Sequence, residues 1–271
     1  MKDRAREVKA LERAAWGQKA RSYTMLTGRI TAGFVDPLLD AAGAKAGTRL
    51  LDVGTGPGYA ARRATGRGAV ATGVDIADEV VALARKRHGG IRFLPADAEE
   101  LPFAQRSFDA VVCNFAINHV PRPERAMEEL ARVVVPRGGI ALSTWDLPER
   151  NRFLGILVDA LRDAGVAHQF AAALDPYRFA DDDGFRALLG SAGLEDIAVR
   201  SVSLAHSVSG ADELWRGLLG GSVRTAGLVE RQSPATRRRI RAALERLAED
   251  HRVDGELVIP VRAKLASGRR P

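Results

Sequence analysis

The chain has 271 residues, of which 46% are hydrophobic, enough to build one large globular domain or one core with a cap. Its single cysteine excludes a disulfide framework, a multi-cysteine zinc site and an iron–sulfur cluster held by the chain's own thiolates. The net charge of +7 does not predict nucleic-acid binding, because the basic residues are scattered among acids and the dense run Arg237, Arg238, Arg239 and Arg241 is typical of a solvated helix face.

No apolar stretch reaches the roughly 18 residues that a membrane span needs, and the charged N-terminus has no signal-peptide core. We therefore expect a cytoplasmic protein that acts on a small molecule, as a monomer or homodimer, without a nucleic-acid or membrane partner.

The segments before the first strand predict helices that can cover a ligand. Residues 3–20 form an amphipathic pattern. The Asp-Pro pair at 36–37 predicts the start of a short helix, and Gly43 predicts its end. Trp16 and Tyr23 lie in this region, and they could contact a ligand or pack the helix onto the core.

The stretch from Leu50 to Gly58 reads Leu-Leu-Asp-Val-Gly-Thr-Gly-Pro-Gly, which predicts a buried parallel strand followed by a glycine turn. Glycines allow the backbone to approach a ligand closely, and the turn delivers that ligand to the start of a helix. The dinucleotide fingerprint fails because Tyr59 replaces its last glycine or alanine, and no phosphate-loop lysine follows. Asp52, just before the turn, suits a ligand with an ammonium group better than a pyrophosphate.

Further apolar runs alternate with helical patterns, which predicts an α/β fold with a doubly wound, mostly parallel sheet. The predicted strands are 49–53, 69–74, 91–94, 110–113 and 140–145, the last preceded by a turn at 136–139. A ligand of such a sheet binds at the carboxyl ends of the strands, where Asp52, Gly54, Asp75, Asp97 and Asn114 fall. Asp75 ends the second strand, and an acid at that position can accept hydrogen bonds from ribose hydroxyls.

The alternation of strands and helices ends after Trp145, and helices predominate in the rest of the chain. We predict helices at 151–164, 185–192 and over most of 211–250, an extended segment at 197–204, and a final strand at 257–259 that ends at Pro260 or lies at an edge. No repeat or linker divides the chain, which predicts a single domain over 1–271. Its predicted parts are an N-terminal helical cover (1–36), a cofactor-binding core (37–146), a cap with a later strand (147–230), and a C-terminal helix with the last strand (231–271).

The stretch from Leu50 to Asp146 resembles class I S-adenosylmethionine-dependent methyltransferases, and within them the small-molecule branch that includes quinone-biosynthesis C-methyltransferases. The resemblance is most specific at residues 50–58, 75, 96–103, 108–120 and 130–139. It implies a seven-stranded Rossmann-like sheet with helices on both faces, a last antiparallel strand and a helical substrate cap. It also implies S-adenosylmethionine as cofactor and S-adenosylhomocysteine as product.

The resemblance carries cofactor roles to individual residues. The methionine part is assigned to Asp52, Gly54, Gly56 and, through its backbone, Thr55. The ribose is assigned to Asp75, the adenine to Ile76, Asp97 and Ala98, and the region of the sulfonium to Asn114 and Phe115. Tyr23 is counted with these cofactor residues. No metal is expected.

The sequence indicates less clearly which residues bind the molecule that accepts the methyl group. An acceptor that loses a proton on methylation needs a base, and His119 follows the fourth strand on the ligand side. A structural hydrogen bond at a helix start is the alternative for His119. Trp16, Trp145 and Tyr177 are candidate walls for an apolar or aromatic substrate, whereas His168 and His206 are expected to be structural.

We therefore predict a methyltransferase that acts on O, C or N of a small, apolar metabolite. Asn114 is followed by Phe-Ala-Ile, not by the Pro-Pro-Tyr/Phe of nucleic-acid amino-methylating enzymes. Two alternatives keep the same cofactor residues: an enzyme that catalyses a non-methylating cyclisation or rearrangement, and a non-catalytic cofactor-binding module.

Overall fold

A computed structural model of the chain describes residues 2–166 and 175–271, so His168 lies outside the described residues. The first half contains α1 (Lys2–Tyr23), α2 (Thr27–Ala32), α3 (Val35–Ala42), β1 (Arg49–Val53), α4 (Tyr59–Gly66), β2 (Val70–Asp75), α5 (Asp78–Arg87), β3 (Arg92–Pro95), β4 (Phe108–Asn114), a 3-10 turn (Ile117–His119), α6 (Pro123–Val133) and β5 (Val134–Trp145). The second half contains α7 (Arg152–Asp163), α8 (Asp182–Gly190), β6 (Glu195–Val208), α9 (Ala211–Gly221), α10 (Arg224–Glu230), α11 (Pro234–Glu249), β7 (Arg252–Val253) and β8 (Glu256–Arg269).

The strands form one mixed sheet in the order β3-β2-β1-β4-β5-β8-β6, and the short β7 pairs with β8 beside this path. β1 to β5 are parallel, whereas β8 runs antiparallel to both β5 and β6. The predicted doubly wound α/β sheet with a last antiparallel strand is confirmed. Because the parallel strands share one direction, the ends of β1, β2, β4 and β5 meet at one edge, where such folds bind ligands.

Helices cover both faces of the sheet because neighbouring strand residues point to opposite sides. Leu50 packs in the apolar cluster of α3, α4 and α5, whereas the adjacent Leu51 packs in the cluster of α6 and α8. A third apolar cluster packs α2, α7, α9 and α11 against the end of β6 at Val208 and the first half of β8, residues 257–263. These helices form a layer beside the carboxyl edge of the sheet. None of the helices in the described part of the chain has the length and apolarity required to cross a membrane.

Several predicted element boundaries differ from those of the structure. α1 continues to Tyr23, three residues beyond the predicted end, and α3 begins at Val35, so that Asp36 lies inside its first turn and pairs with Arg63 and Arg67. The predicted turn at 136–139 belongs to an irregular part of β5, where the register with β4 jumps from Val134 to Gly139.

The last strand is much longer than predicted, because β8 continues through Pro260 to Arg269. Pro260 faces β6 on one side through its pairing with Ala205, while β5 pairs only from Ala263 onward. The proline therefore sits where the strand has a local free edge, and its missing N–H costs no ladder bond. The arginine run lies on the exposed face of α11, where Arg241 pairs with Glu245, as predicted for a solvated helix.

Candidate active site

A cavity lies at the carboxyl ends of β1, β2, β4 and β5, closed by α1 on one side and bordered by α7 and α10 on another. The strand ends contribute Gly54, Gly56, Asp75, Ile76, Asp97, Ala98, Asn114, Phe115, His119 and Trp145 to its wall. α1 contributes Lys9, Glu12, Trp16, Ala20 and Tyr23, whose spacing of three to four residues places them on one helix face. The structure thus brings most of the predicted site residues together around one space.

The glycine loop after β1 adopts left-handed backbone conformations. Gly54 has φ of +66°, and a Cβ there would lie 2.2 Å from the Cβ of Ala116, so the loop after β4 packs directly on it. Gly56 has φ of +54° and lines the cavity, and a Cβ there would meet no atom within 4 Å. Side chains rarely adopt this conformation, and at Gly56 one would also project into open space that a ligand can use.

Asp52 and Thr55 lie behind the loop and do not line the cavity. Asp52 is completely buried, and its Oδ2 accepts hydrogen bonds from Thr55 Oγ1 (2.6 Å) and from the backbone N–H of Ala61 in α4 (3.0 Å). Burial raises the pKa of Asp52 to about 6, although these two hydrogen bonds act in the opposite direction. The Asp52 carboxyl thus ties the glycine loop to the start of α4 from behind the cavity wall.

Asp75 lies at the end of β2 in the cavity wall. Its carboxylate accepts hydrogen bonds from the backbone N–H groups of Gly56 (3.0 Å) and Ala77 (3.2 Å). Burial raises the pKa of this carboxyl above its ordinary value, while the backbone hydrogen bonds lower it. The acid is thus fixed in orientation beside the glycine loop.

Asp97 lies further along the wall next to Ala98, and Lys9 of α1 reaches it. Lys9 Nζ lies 2.6 Å from Asp97 Oδ2 and 2.6 Å from Glu99 Oε2. Glu99 is almost fully buried and also accepts a hydrogen bond from Arg122 Nε (2.7 Å). These ion pairs fasten the first half of α1 to the edge of the sheet.

Asn114 is the last residue of β4, and Phe115 follows it in the cavity wall. Asn114 Oδ1 accepts from Ser143 Oγ (2.6 Å), and its Nδ2 donates to the carbonyl of Thr31 (3.1 Å). Phe115 has φ of +56°, which is uncommon for a residue other than glycine and points to a functional position. Its ring packs 4.0 Å from that of Trp145, centroid to centroid, and the two form an aromatic wall.

His119 ends the 3-10 turn after β4, and its imidazole is held from α1. Its Nδ1 lies 3.0 Å from Glu12 Oε2, which also accepts from Trp16 Nε1 at 3.0 Å. Arg224 of α10 donates to the other oxygen, Glu12 Oε1, from Nη2 (2.8 Å) and from Nε (3.1 Å). Burial raises the pKa of Glu12, but His119 and Arg224 outweigh it and lower the pKa to about 2. Glu12 is therefore an ionised carboxylate with donors on both oxygens.

Two predicted aromatic residues occupy different surroundings. Tyr23 lines the cavity, and its buried hydroxyl lies 2.8 Å from Thr31 Oγ1. Tyr177 packs against the third apolar cluster and does not line the cavity. Its hydroxyl has no hydrogen-bond partner among the described residues. His206, on β6, is also absent from the cavity wall.

Comparison with known proteins identifies the family. Residues 51–142 match the model of a methyltransferase domain. The chain is 30% identical over 200 residues to 27-O-demethylrifamycin SV methyltransferase of Amycolatopsis mediterranei, which covers 71% of this chain and 69% of that protein. It is 27% identical over 176 residues to demethylmenaquinone methyltransferase of Renibacterium salmoninarum, covering 61% of this chain and 74% of that protein. The chain belongs to the class I S-adenosylmethionine-dependent methyltransferases.

The same fold is found in a solved structure of phosphoethanolamine N-methyltransferase 2 of Haemonchus contortus, with a TM-score of 0.53, 17% identity, and coverage of 88% of this chain and 52% of that one. The prediction of a small-molecule methyltransferase is confirmed by the family match and the relatives. Among the described residues of this methyltransferase, no three His, Cys, Asp or Glu side chains are grouped so as to hold a metal ion.

The polar residues Lys9, Glu12, Asn118 and Arg224 line the methyltransferase site but were not predicted as site residues from the sequence. Lys9 and Glu12 share a helix face with Trp16, so the three-to-four residue spacing was available as a signal. They were overlooked because a charged residue on an amphipathic helix is ordinarily assigned to the solvent face. Nothing in the sequence around Arg224 indicates that it reaches Glu12.

Proposed function

We propose that the methyltransferase moves the methyl group of S-adenosylmethionine to an oxygen or carbon atom of a small, uncharged acceptor that loses a proton in the reaction, and that His119 is the general base. The observation that carries this proposal is the hydrogen bond between His119 Nδ1 and the ionised Glu12 in the cavity wall. With Nδ1 as the donor, the lone pair of the neutral ring lies on Nε2 and can accept a proton. An acceptor that keeps all its protons would not need this arrangement.

The cavity fits the cofactor at the carboxyl edge of the sheet. Gly54 and Gly56 leave room for the methionine part beside the loop, and the open space at the missing Cβ of Gly56 supports this placement. We assign Asp75 to the ribose, because its carboxylate is already fixed by two backbone N–H groups and its remaining lone pairs can accept from hydroxyls.

The remaining cofactor residues follow the wall away from Gly56. We assign Ile76 and Ala98 to the adenine ring, with Asp97 at its edge, and Asn114 and Phe115 to the region of the sulfonium. Tyr23 lies on the opposite side, on the covering helix. We assign Asp52 and Thr55 to support of the loop, since their hydrogen bonds are made with each other and with α4.

The charges of the wall favour an uncharged acceptor. Lys9 is paired with Asp97 and Glu99, and Arg224 is paired with Glu12. An anionic acceptor would have to compete with these carboxylates for the same cations. Breaking a buried ion pair costs much free energy, because it leaves a buried carboxylate without its partner.

The shape and polarity of the wall favour an aromatic or largely apolar acceptor with a hydrogen-bond donor. Phe115, Trp145 and Trp16 line the cavity and provide flat apolar surfaces. Asn118, which is almost fully buried in the wall, has a side-chain oxygen without a hydrogen-bond partner among the described residues. A buried acceptor of this kind is satisfied when a bound molecule donates to it.

Catalysis would rest on positioning and on removal of the acceptor's proton. The bound cofactor supplies an electrophilic methyl group on its sulfonium. The aromatic wall orients the acceptor, and α1 covers the cavity and excludes water. His119 Nε2 takes the proton of the acceptor, while Glu12 stabilises the imidazolium that forms.

The proposal is tested by binding and turnover. Calorimetry is expected to show binding of S-adenosylmethionine and S-adenosylhomocysteine, and incubation with a panel of uncharged phenols and hydroquinones is expected to give S-adenosylhomocysteine and a product heavier by one methylene. With an acceptor found in this way, His119→Ala should lower turnover by at least about 100-fold while the affinity for S-adenosylhomocysteine changes less than about twofold.

His206→Ala is the matched control, because this histidine lies outside the cavity wall. Equal turnover of the two variants would remove His119 as the base. Absence of cofactor binding would contradict the assignment of the glycine loop.

A further inference from the structure

Glu12 is the centre of a buried hydrogen-bond group made by three separate parts of the chain. It belongs to α1, Arg224 begins α10, and His119 follows β4. The side chains of Glu12 and Arg224 are only 9% and 8% exposed, so water contributes little to their solvation. Arg224 also donates from Nη1 to the carbonyl of Asn118, the residue before His119 (3.0 Å).

The two oxygens of the Glu12 carboxylate have different hydrogen-bond partners. Glu12 Oε1 accepts both donors of Arg224, whereas Oε2 accepts Trp16 Nε1 and contacts His119 Nδ1. An ionised carboxylate can only accept, so the hydrogen of a neutral imidazole must lie on Nδ1 for this contact to be a hydrogen bond. The pKa of about 2 for Glu12 agrees with a carboxylate that stays ionised at every pH at which the protein would be assayed.

We propose that Glu12 is a positioning residue, which fixes His119 in the tautomer with Nδ1 protonated and so directs its basic Nε2 toward the acceptor. Because Glu12 lies on the helix that covers the cavity, the base is complete only when α1 is seated on the sheet. Arg224 holds Glu12 from the other side and keeps its second oxygen from turning toward His119. This inference rests on the proposed role of His119 and adds a residue that acts through it.

Substitution of Glu12 by glutamine separates this role from simple packing, because the side chain keeps its shape but has only one accepting oxygen. Arg224 presents two charged donors and Trp16 presents one neutral donor, so the amide oxygen is expected to face Arg224 and the amide NH₂ to face His119, with loss of the bond from Trp16 Nε1. The imidazole must then accept at Nδ1 and carry its hydrogen on Nε2, which is the wrong tautomer for a base. We expect Glu12→Gln to lower turnover between about 100-fold and 10,000-fold, as loss of an orienting carboxylate does in a catalytic triad.

The tautomer itself is measured by two-bond ¹H–¹⁵N correlation spectra of the full chain labelled with ¹⁵N-histidine, in complex with S-adenosylhomocysteine. The signals of His119 are assigned by their loss in His119→Ala and are recorded at a pH at which they show the neutral ring. The wild-type protein should give the pattern of the Nδ1–H tautomer, and Glu12→Gln the pattern of the Nε2–H tautomer. Glu7→Gln, an exposed position on the same helix, is the control for removal of a carboxylate and should match wild type.

Two results would overturn the inference. One is an Nε2–H tautomer in the wild-type protein, which can be read even if Glu12→Gln does not fold. The other is a folded Glu12→Gln protein with the wild-type tautomer and turnover. The tautomer measurement needs no methyl acceptor, and turnover enters only the second result. An Nδ1–H pattern in a protein that turns over no acceptor of the panel would therefore count against the proposed function and leave the positioning role of Glu12 supported.

Discussion

The buried carboxyl of Asp52 makes a quantitative prediction about stability and pH. Burial raises its pKa from 3.8 to about 6, so between these values the folded protein binds a proton that the unfolded chain does not. Stability must therefore rise as the pH falls through this window, and the penalty of the buried charge is fully present above pH 6. Integration of the two titrations gives a penalty of about 3 kcal/mol at pH 7 and about 1 kcal/mol at pH 4.5, a change of about 2 kcal/mol.

Asp52→Asn removes this titration and nearly preserves the shape of the side chain. Its amide oxygen can accept from Thr55 and Ala61 as Oδ2 does, while the NH₂ replaces Oδ1, which has no partner among the described residues. The unsatisfied NH₂ costs about 1–3 kcal/mol at every pH, because an amide does not titrate.

The free energy of unfolding of both proteins should be measured by urea denaturation at several pH values from 4.5 to 7.5. The difference between wild type and variant cancels the other titrating groups, and it should change by about 2 kcal/mol in favour of wild type as the pH falls. A difference that stays constant across this range would refute the raised pKa and with it the account of Asp52 as a buried support of the loop.

Two further predictions concern the cofactor. Gly56→Val places a β-branched side chain at φ of +54° in the open space of the cavity, so it should weaken binding of S-adenosylhomocysteine by at least about tenfold, measured by calorimetry. Gly47→Val, at φ of +80° on the exposed surface, should lose similar stability and keep its affinity; equal affinity losses would point to misfolding instead of a blocked site. Burial raises the pKa of Asp75 above its ordinary value, and only the ionised carboxylate accepts from both ribose hydroxyls. Affinity for S-adenosylhomocysteine should therefore fall as the pH is lowered from neutral toward the ordinary pKa of a carboxyl. Asp75→Asn should bind more weakly at pH 7 and show a flatter pH profile, and an unchanged slope in this variant would exclude Asp75 as the titrating group.

The parallel half of the fold could be predicted from the sequence because its signals are local. Each buried strand is a short apolar run that ends at a turn residue or a polar group. The antiparallel half of the sheet was harder to predict from the sequence. The first half of β8 alternates buried residues with half-buried or exposed ones, and the pairing partners of the strand lie far away in sequence, so only three of its residues form an obvious apolar run.

Local signals also explain which site residues were found. The residues at the strand ends were predictable because the fold places every strand end at one edge, whatever the later chain does. Asp52 shows the limit of this reasoning, since a position at a strand end does not reveal which way a side chain turns. Its burial beneath the glycine loop follows from bonds to Thr55 and Ala61 that depend on the three-dimensional path of the turn.

The acceptor side depends on contacts between residues that are distant in sequence, and the group around Glu12 illustrates the reason. Its members approach one another only after α1 has crossed the cavity and α10 has reached the loop after β4. Each of them alone is an ordinary charged or polar residue on a helix or turn, and their chemistry arises from the pairing. A change of a single residue on α1, such as Glu12, would therefore alter the surroundings of the proposed base without touching any residue of the glycine loop.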